Sequence, residues 1–272
     1  MLQFPHSETL FRIEKQGMPV LSSVSKALTL LDAFTAEQPE LTLSELARRA
    51  GAHKSSAFRL LATLEAHGFV EKSPAGHGYR LGWKPLELAG RLLARYELRE
   101  LAALFMEELA EKSGEIVHLS ILDGAQIVYL DKRGRSQPLT VSTTIGGRSP
   151  AHASAMGKVL LAGLLAEEAQ QVLGSRRLQR FTPTTITDRR RLARELEAIR
   201  RQGYALDNEE TFPGIRCAAA PLLDGAGKVL AAISVTAPTQ RMGARRQAEI
   251  SKWVTDTAAR ISERIRVGGI YR

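Results

Sequence analysis

The chain has a single cysteine, Cys217, in 272 residues. One thiol excludes an intramolecular disulfide framework and a cysteine-based zinc site, and it suits a reducing compartment. No apolar run approaches the length of a membrane span, so no membrane partner is expected. The opening stretch MLQFPHSETLFRIEKQG carries Pro5, His6, Glu8, Arg12, Glu14 and Lys15 where a secretory signal would carry an uninterrupted apolar core. These absences together predict a cytoplasmic protein.

What remains is a folded composition, 44% hydrophobic and 25% charged, with length enough for one large domain or two ordinary ones. The net charge of +9 suggests nucleic acid, but most of the excess lies after residue 97. Residues 176–201 alone hold nine arginines, which read as the solvated face of a helix. Bulk charge is therefore weak evidence for DNA binding, and local geometry has to decide.

That geometry is found in LTLSELARRAGAHKSSAFRLLATLEAHGFV, residues 41–70. Thr42-Leu43-Ser44-Glu45 has the form of a capping box, in which the Thr42 hydroxyl and the Glu45 carboxylate satisfy reciprocal backbone N–H groups. Leu43, Leu46, Ala47 and Ala50 then recur at helical spacing, and Gly51 supplies the positive φ that ends the helix. A second helix starts at Lys54, buries Ala57, Leu60, Leu61 and Leu64, and stops at Gly68. Such a pair forms a helix-turn-helix. Lys54, Ser55, Ser56, Phe58, Arg59 and Thr63 fall on the side away from the core, where a recognition helix meets a major groove. Hydroxyls and cations there suit phosphates, and Arg59 suits a guanine edge. A plain helical hairpin with a polar outer face is the competing reading.

Flanking segments favour the DNA-binding reading. Val24, Ala27, Leu28, Leu31 and Phe34 form a third stripe expected to cross the pair. Downstream, FVEKSPAGHGYRLG alternates, turns at 74–78 and returns, which predicts a hairpin wing carrying His77 and Arg80 toward the DNA backbone or minor groove.

With these residues in order, the chain resembles the IclR family of bacterial transcriptional regulators from about Leu21 to Arg266. The more specific match is C-terminal: Gly203-Tyr204-Ala205-Leu206-Asp207-Asn208-Glu209-Glu210, six residues, then Cys217. Residues 150–161, PAHASAMGKVLL, match as well. The sequence departs from the family pattern at Ala218, where a larger aliphatic is usual, and at Leu223, where an aromatic is usual. Neither departure touches a polar position.

The resemblance implies an α+β protein: an N-terminal arm (1–20), a winged helix-turn-helix DNA-binding domain (21–83), a linker helix (84–97) and a GAF-like α/β effector-binding domain (98–267). Leu86, Leu88, Ala89, Leu92 and Leu93 give the linker an apolar stripe that it cannot bury alone. In the family that helix meets its counterpart in a dimer, which implies a homodimer or dimer of dimers on a palindromic operator of double-stranded DNA. Packing onto its own domain is the alternative. In the second domain a helix over 101–113 is followed by strands at 116–122 and 125–131, joined at Asp123-Gly124. Further strands are expected at 139–143, 204–206, 217–223 and 229–236, helices at 158–164 and 244–266.

The family places Ala155, Met156, Asp207, Cys217, Ser234 and Thr236 around its effector pocket. Ala153 and Ser154 are small and precede the 158–164 helix, whose first N–H groups could receive an anion. The expected effector is therefore a small organic acid, such as a sugar acid or an aromatic carboxylate, with Asp207 favouring a hydroxy or keto acid over a dicarboxylate. Ordinary strand or turn roles remain open for each residue. The predicted function is a ligand-responsive transcriptional regulator, a repressor of a catabolic operon. The alternative is an enzyme using Cys217 with His118 or His152, but no oxyanion-hole segment accompanies them. Gly157-Lys158 lacks the Walker A residues, and no metal set or cofactor loop is present. No catalytic residue, metal or cofactor is assigned.

Overall fold

A computed structural model describes residues 20–74, 76–94, 97–134, 143–175 and 177–268. The expected N-terminal arm, apart from Val20, and the expected strand at 139–143, apart from Thr143, lie outside them. The chain divides into two compact units at residues 95/96.

The first unit comprises α1 (Ser22–Asp32), β1 (Glu40–Leu41), α2 (Leu43–Arg49), α3 (Lys54–Ala66), β2 (Val70–Lys72), β3 (Tyr79–Leu81) and α4 (Lys84–Leu93). The capping box forms as its residues dictate: Glu45 N–H donates to Thr42 Oγ1, and Thr42 N–H donates to the Glu45 carboxylate at 2.8 Å. Gly51 turns the chain with φ +57°. Three strands pair antiparallel in the order β1-β3-β2, making the wing. Leu30, Leu46 and Leu61 are fully buried at the centre, with Leu41, Val70 and Tyr79 closing the core from the sheet. Burial of each such aliphatic side chain contributes about 1.5–3 kcal/mol. The stripe expected on α1 holds only in part: Leu31 and Phe34 pack against the core, but Val24 and Leu28 are exposed, and the fully buried residues are Leu30 and, beyond the helix end, Ala33. On α4, Leu86, Leu88 and Leu92 are exposed, so the linker stripe is not covered by its own unit.

The second unit comprises α5 (Glu97–Ser113), β4 (Ile116–Asp123), β5 (Gln126–Arg133), β6 (Arg148–Pro150), α6 (Ala155–Ala162), α7 (Ala166–Leu173), α8 (Arg189–Gln202), β7 (Ala205–Asn208), β8 (Ile215–Leu223), β9 (Val229–Pro238) and α9 (Ala244–Gly268). All six strands pair antiparallel, in the order β6-β5-β4-β9-β8-β7. Side chains alternate between the two faces of the sheet. Val117, Leu119, Ile233 and Val235 share a core with Met106 and Leu109 of α5 and Val254 and Ile261 of α9. The opposite face presents His118, Ser120, Ser234 and Thr236 toward α6, and there the site is built. Of the arginine-rich segment expected to form a helix face, only the part from Arg189 onward is helical: α8 is amphipathic and buries Leu192, Leu196 and Ile199, whereas residues 177–188 are not helical. Arg189 and Arg200 donate to the carbonyls of Leu173 and Gly174 and of Ala162 and Leu164, where α7 and α6 end.

Candidate functional site

On the first unit, the expected DNA-contacting residues emerge together. Lys54, Ser55, Ser56, Phe58, Arg59 and Thr63 are all exposed along α3 while Ala57 and Leu61 are fully buried beneath them. Phe58, 52% exposed, has no place in the core and stands among polar neighbours. Thr63 is less available than its neighbours, because its hydroxyl donates to the Arg59 carbonyl at 3.0 Å. His77 is exposed at the wing turn. Arg80 is held by Glu71 of the adjacent strand at 2.6 Å, so a phosphate would have to compete with that exposed pair.

The second unit contains a pocket between the sheet and the first turn of α6. Of the expected effector residues, Ser154, Ala155, Met156, Asp207, Cys217, Ser234 and Thr236 line it. Ala153 does not: it is buried below the lining, and its carbonyl accepts from Thr211 Oγ1 at 2.9 Å. The helix also begins at Ala155, three residues earlier than its sequence suggests, because Ser154 is the N-cap and accepts from Gly157 N–H. Gly157 is required there, since a Cβ would fall 2.3 Å from the Ala151 backbone. Ala155 and Met156, whose first-turn N–H groups have no partner within the helix, line the pocket.

Strand register explains the rest of the constellation. Asp207 opposes Cys217, Cys217 opposes Thr236, and Ser234 opposes His118, so residues from four strands share one face. His118, Tyr129, Thr143, Ser149, Thr211, Phe212 and Ile215 complete the lining. His118 Nε2 lies 2.8 Å from Thr143 Oγ1 and Nδ1 lies 3.3 Å from Thr236 Oγ1, so one ring nitrogen donates and the other accepts. Burial, with Lys132 nearby, pushes its pKa down to about 3 and keeps the ring neutral. Asp207 is pushed up to about 7 by burial and by the Glu210 carboxylate, against the Glu210 N–H that it accepts at 2.7 Å. Ser234 Oγ is buried without a hydrogen-bond partner among the described residues. The cavity volume is about 40 Å³, room for a few waters. A ligand larger than a few waters, an aromatic acid above all, requires a wall to give way.

The thiol and imidazoles are not arranged as a nucleophile and base. Cys217 Sγ reaches His118 only through Thr236 Oγ1, at 3.3 Å on each side. Burial pushes the thiol up while it pushes the imidazole down, the reverse of a thiolate–imidazolium pair. His152 lies elsewhere, bonded to the Gln179 carbonyl and tilted against Phe181. Among the described residues no three His, Cys, Asp or Glu side chains come together to hold a metal.

Comparison with known proteins agrees with both halves of this arrangement. Residues 23–74 match the IclR helix-turn-helix domain, and residues 90–263 match the family described as bacterial transcriptional regulator IclR C-terminal. The chain belongs to the IclR family. It is 37% identical over 225 residues to the transcriptional regulator XynR of Escherichia coli, covering 83% of this chain and 89% of that protein. It is 36% identical over 250 residues to KdgR of the same organism, covering 92% and 94%. Among solved structures, an IclR homologue from Microbacterium hydrocarbonoxydans complexed with 4-hydroxybenzoate superposes with TM-score 0.79 at 27% identity, covering 90% of this chain and 99% of that one. This IclR-family chain is thus a transcriptional regulator with a DNA-binding and an effector-binding domain.

Sequence reasoning named His118 only as a possible base for Cys217 and not as a pocket residue, and it missed Tyr129 and Thr143. His118 and Tyr129 carry no local motif and join the site only through the pairing of β4 with β9 and β5. A polar residue at every second position of an otherwise apolar strand, His118 and Ser120 in β4, was the signal available.

Proposed function

We propose that this IclR-family regulator is a repressor of a catabolic operon, released or retained on its operator according to whether the α6 pocket holds a small organic acid. The observation that carries the reading is Ser234 Oγ, a buried hydroxyl aimed at the pocket with no partner among the described residues. Leaving such a group unsatisfied costs about 1–3 kcal/mol, which a ligand oxygen would recover. The N–H groups of Ala155 and Met156 and the positive end of α6 suit the carboxylate of the same ligand. Thr236 and Thr143 add hydroxyls, and Asp207 accepts from a ligand hydroxyl. The homologue with 4-hydroxybenzoate supports the class, since that molecule is a hydroxy acid.

On the DNA side, Lys54, Ser55 and Ser56 meet phosphates, Arg59 reads a base edge, and His77 and Arg80 approach from the wing. The exposed Leu86, Leu88 and Leu92 support a homodimer, or a dimer of such dimers, and two-fold symmetry implies a palindromic operator. The neutral Cys217 is a lining group, not a nucleophile. Calorimetric titration of 4-hydroxybenzoate, lactate and pyruvate into the full chain and its Ser234→Ala and Asp207→Asn variants tests the pocket. Binding of a neutral or cationic molecule that ignores both substitutions would overturn it.

A further inference from the structure

The turn between β7 and β8 forms one wall of the pocket, and a buried lysine outside the lining holds it. Lys158 lies in α6 with its side chain 1% exposed, among the largest fully buried side chains of the chain. Its Nζ stands 2.5 Å from Glu210 Oε1 and 3.5 Å from Glu195 Oε1 of α8. An ammonium taken this far from water is strongly unfavourable unless paired and hydrogen-bonded, so both partners are required by the burial itself.

Glu210 is fixed at three further points. Its N–H donates to Asp207 Oδ1, and its carbonyl accepts from Thr185 Oγ1 at 2.6 Å and more weakly from Thr182. Glu209, just before it, is held at φ +63°, a left-handed conformation that a non-glycine residue keeps only when its surroundings enforce it. Thr211, just after, is tied to the Ala153 carbonyl beside the start of α6. The lining residues Asp207, Thr211 and Phe212 therefore take their positions from a segment anchored on α6.

We propose that Lys158 is a positioning residue for ligand binding: its ion pair with Glu210 clamps the 207–215 turn against α6 and sets the distance between Asp207 and the Ala155 and Met156 N–H groups. This rests on the reading of the pocket as the effector site. Because the clamp and the pocket share α6, a ligand that pulls on Asp207 or on the helix N-terminus also loads the Lys158–Glu210 pair. Through Glu195 the load reaches α8, an element with no residue in the pocket lining.

The electrostatic consequence separates the clamp from a generic core contact. Lys158 favours the charged form of Asp207 and Glu210 disfavours it. Substituting the two partners must then shift the Asp207 titration in opposite directions, whereas simple loosening would shift it the same way in both.

Hydrogen exchange on the full chain, without ligand, tests the clamp. Lys158→Met and Glu210→Gln should each speed exchange over 207–215 by about tenfold or more while β4, β9 and the winged helix keep their protection. Lys158→Arg, which keeps the charge, should recover most of that protection. Carboxyl-carbon NMR of Asp207, identified by its loss in Asp207→Asn, should show its titration rising in Lys158→Met and falling in Glu210→Gln. If Lys158→Met fails to fold, Glu210→Gln, which preserves side-chain size, carries both readouts alone. Unchanged exchange over 207–215, equal loosening of the whole sheet, or an Asp207 titration that does not fall in Glu210→Gln would overturn the proposal. These readouts need no effector, so a failed pocket reading, seen as no acid binding that depends on Ser234, is distinguishable from a failed clamp.

Discussion

His118 and Ser234 are direct cross-strand partners on β4 and β9, yet the imidazole has a hydrogen-bond partner at each nitrogen while the Ser234 hydroxyl has none among the described residues. The two side chains share one face of a sheet whose other face is a closed apolar core. A hydroxyl kept there without a partner lowers stability and is useful only if something arrives to satisfy it.

Ser234→Ala should accordingly separate stability from function. Removing an unsatisfied buried hydroxyl should raise the stability of the ligand-free protein by about 1 kcal/mol. The same change should weaken acid binding by about tenfold, the loss of one hydrogen bond of roughly 1.4 kcal/mol. Urea unfolding and calorimetry on the same preparation measure both. A variant that is less stable and binds as tightly as the parent would contradict the assignment.

Asp207 and His118 give opposite pH dependences. Asp207 is raised to about 7 from 3.8, so the folded state holds the proton more tightly, and its contribution is present below pH 3.8 and lost as pH rises through 7. His118 is lowered to about 3 from 6.5, so its contribution is present above 6.5 and lost as pH falls toward 3. Asp207→Asn should therefore raise the melting temperature more at pH 8 than at pH 5, and the Asn oxygen still accepts from Glu210 N–H. Melting curves at the two pH values decide it, and an equal shift at both would show that Asp207 does not titrate in this window.

How far the sequence could be read depended on whether a feature was local. The Thr42/Glu45 capping box, the turn at Gly51 and the outward face of α3 follow from neighbours within four residues, and all three are present. On α1 the apolar residues Val24, Ala27, Leu28, Leu30 and Leu31 spread over nearly half of the helix circumference, wider than the face that packs, so periodicity does not fix the buried phase. Packing selected Leu30 and left Val24 and Leu28 outside. β1 and β6, of two and three residues, are too short to show alternation. The pocket was half legible: Ser154 to Met156 sit in one run, whereas His118, Tyr129 and Thr143 arrive by strand pairing and chain return that no local pattern encodes.

The α3 surface should divide its residues by kind of contact. Arg59→Ala should cost about 1–3 kcal/mol on the operator and relax preference at one base position. Lys54→Ala should weaken all sequences more evenly and reduce the salt slope by about one. Fluorescence anisotropy at several salt concentrations, with operator and scrambled duplexes, measures both. Equal losses on the two duplexes for Arg59→Ala would mean that it meets phosphate and not a base.

The exposed stripe of α4 makes a prediction about assembly. Leu86, at 63% exposure, and Leu92, at 55%, lie one side of a helix that its own unit does not cover, and single-chain burial leaves that apolar area in water. If a second copy covers it, Leu88→Glu with Leu92→Glu places two carboxylates in each half of an apolar seam. Sedimentation should then show dissociation toward monomer. Operator affinity should fall by about a hundredfold or more, because a monomer engages one half-site without the effective concentration supplied by its partner. The sensor unit, which contains neither residue, should keep its melting transition and its acid binding. A stable monomeric parent that binds a palindrome tightly, or a double variant that still sediments as a dimer, would remove the α4 stripe as the seam.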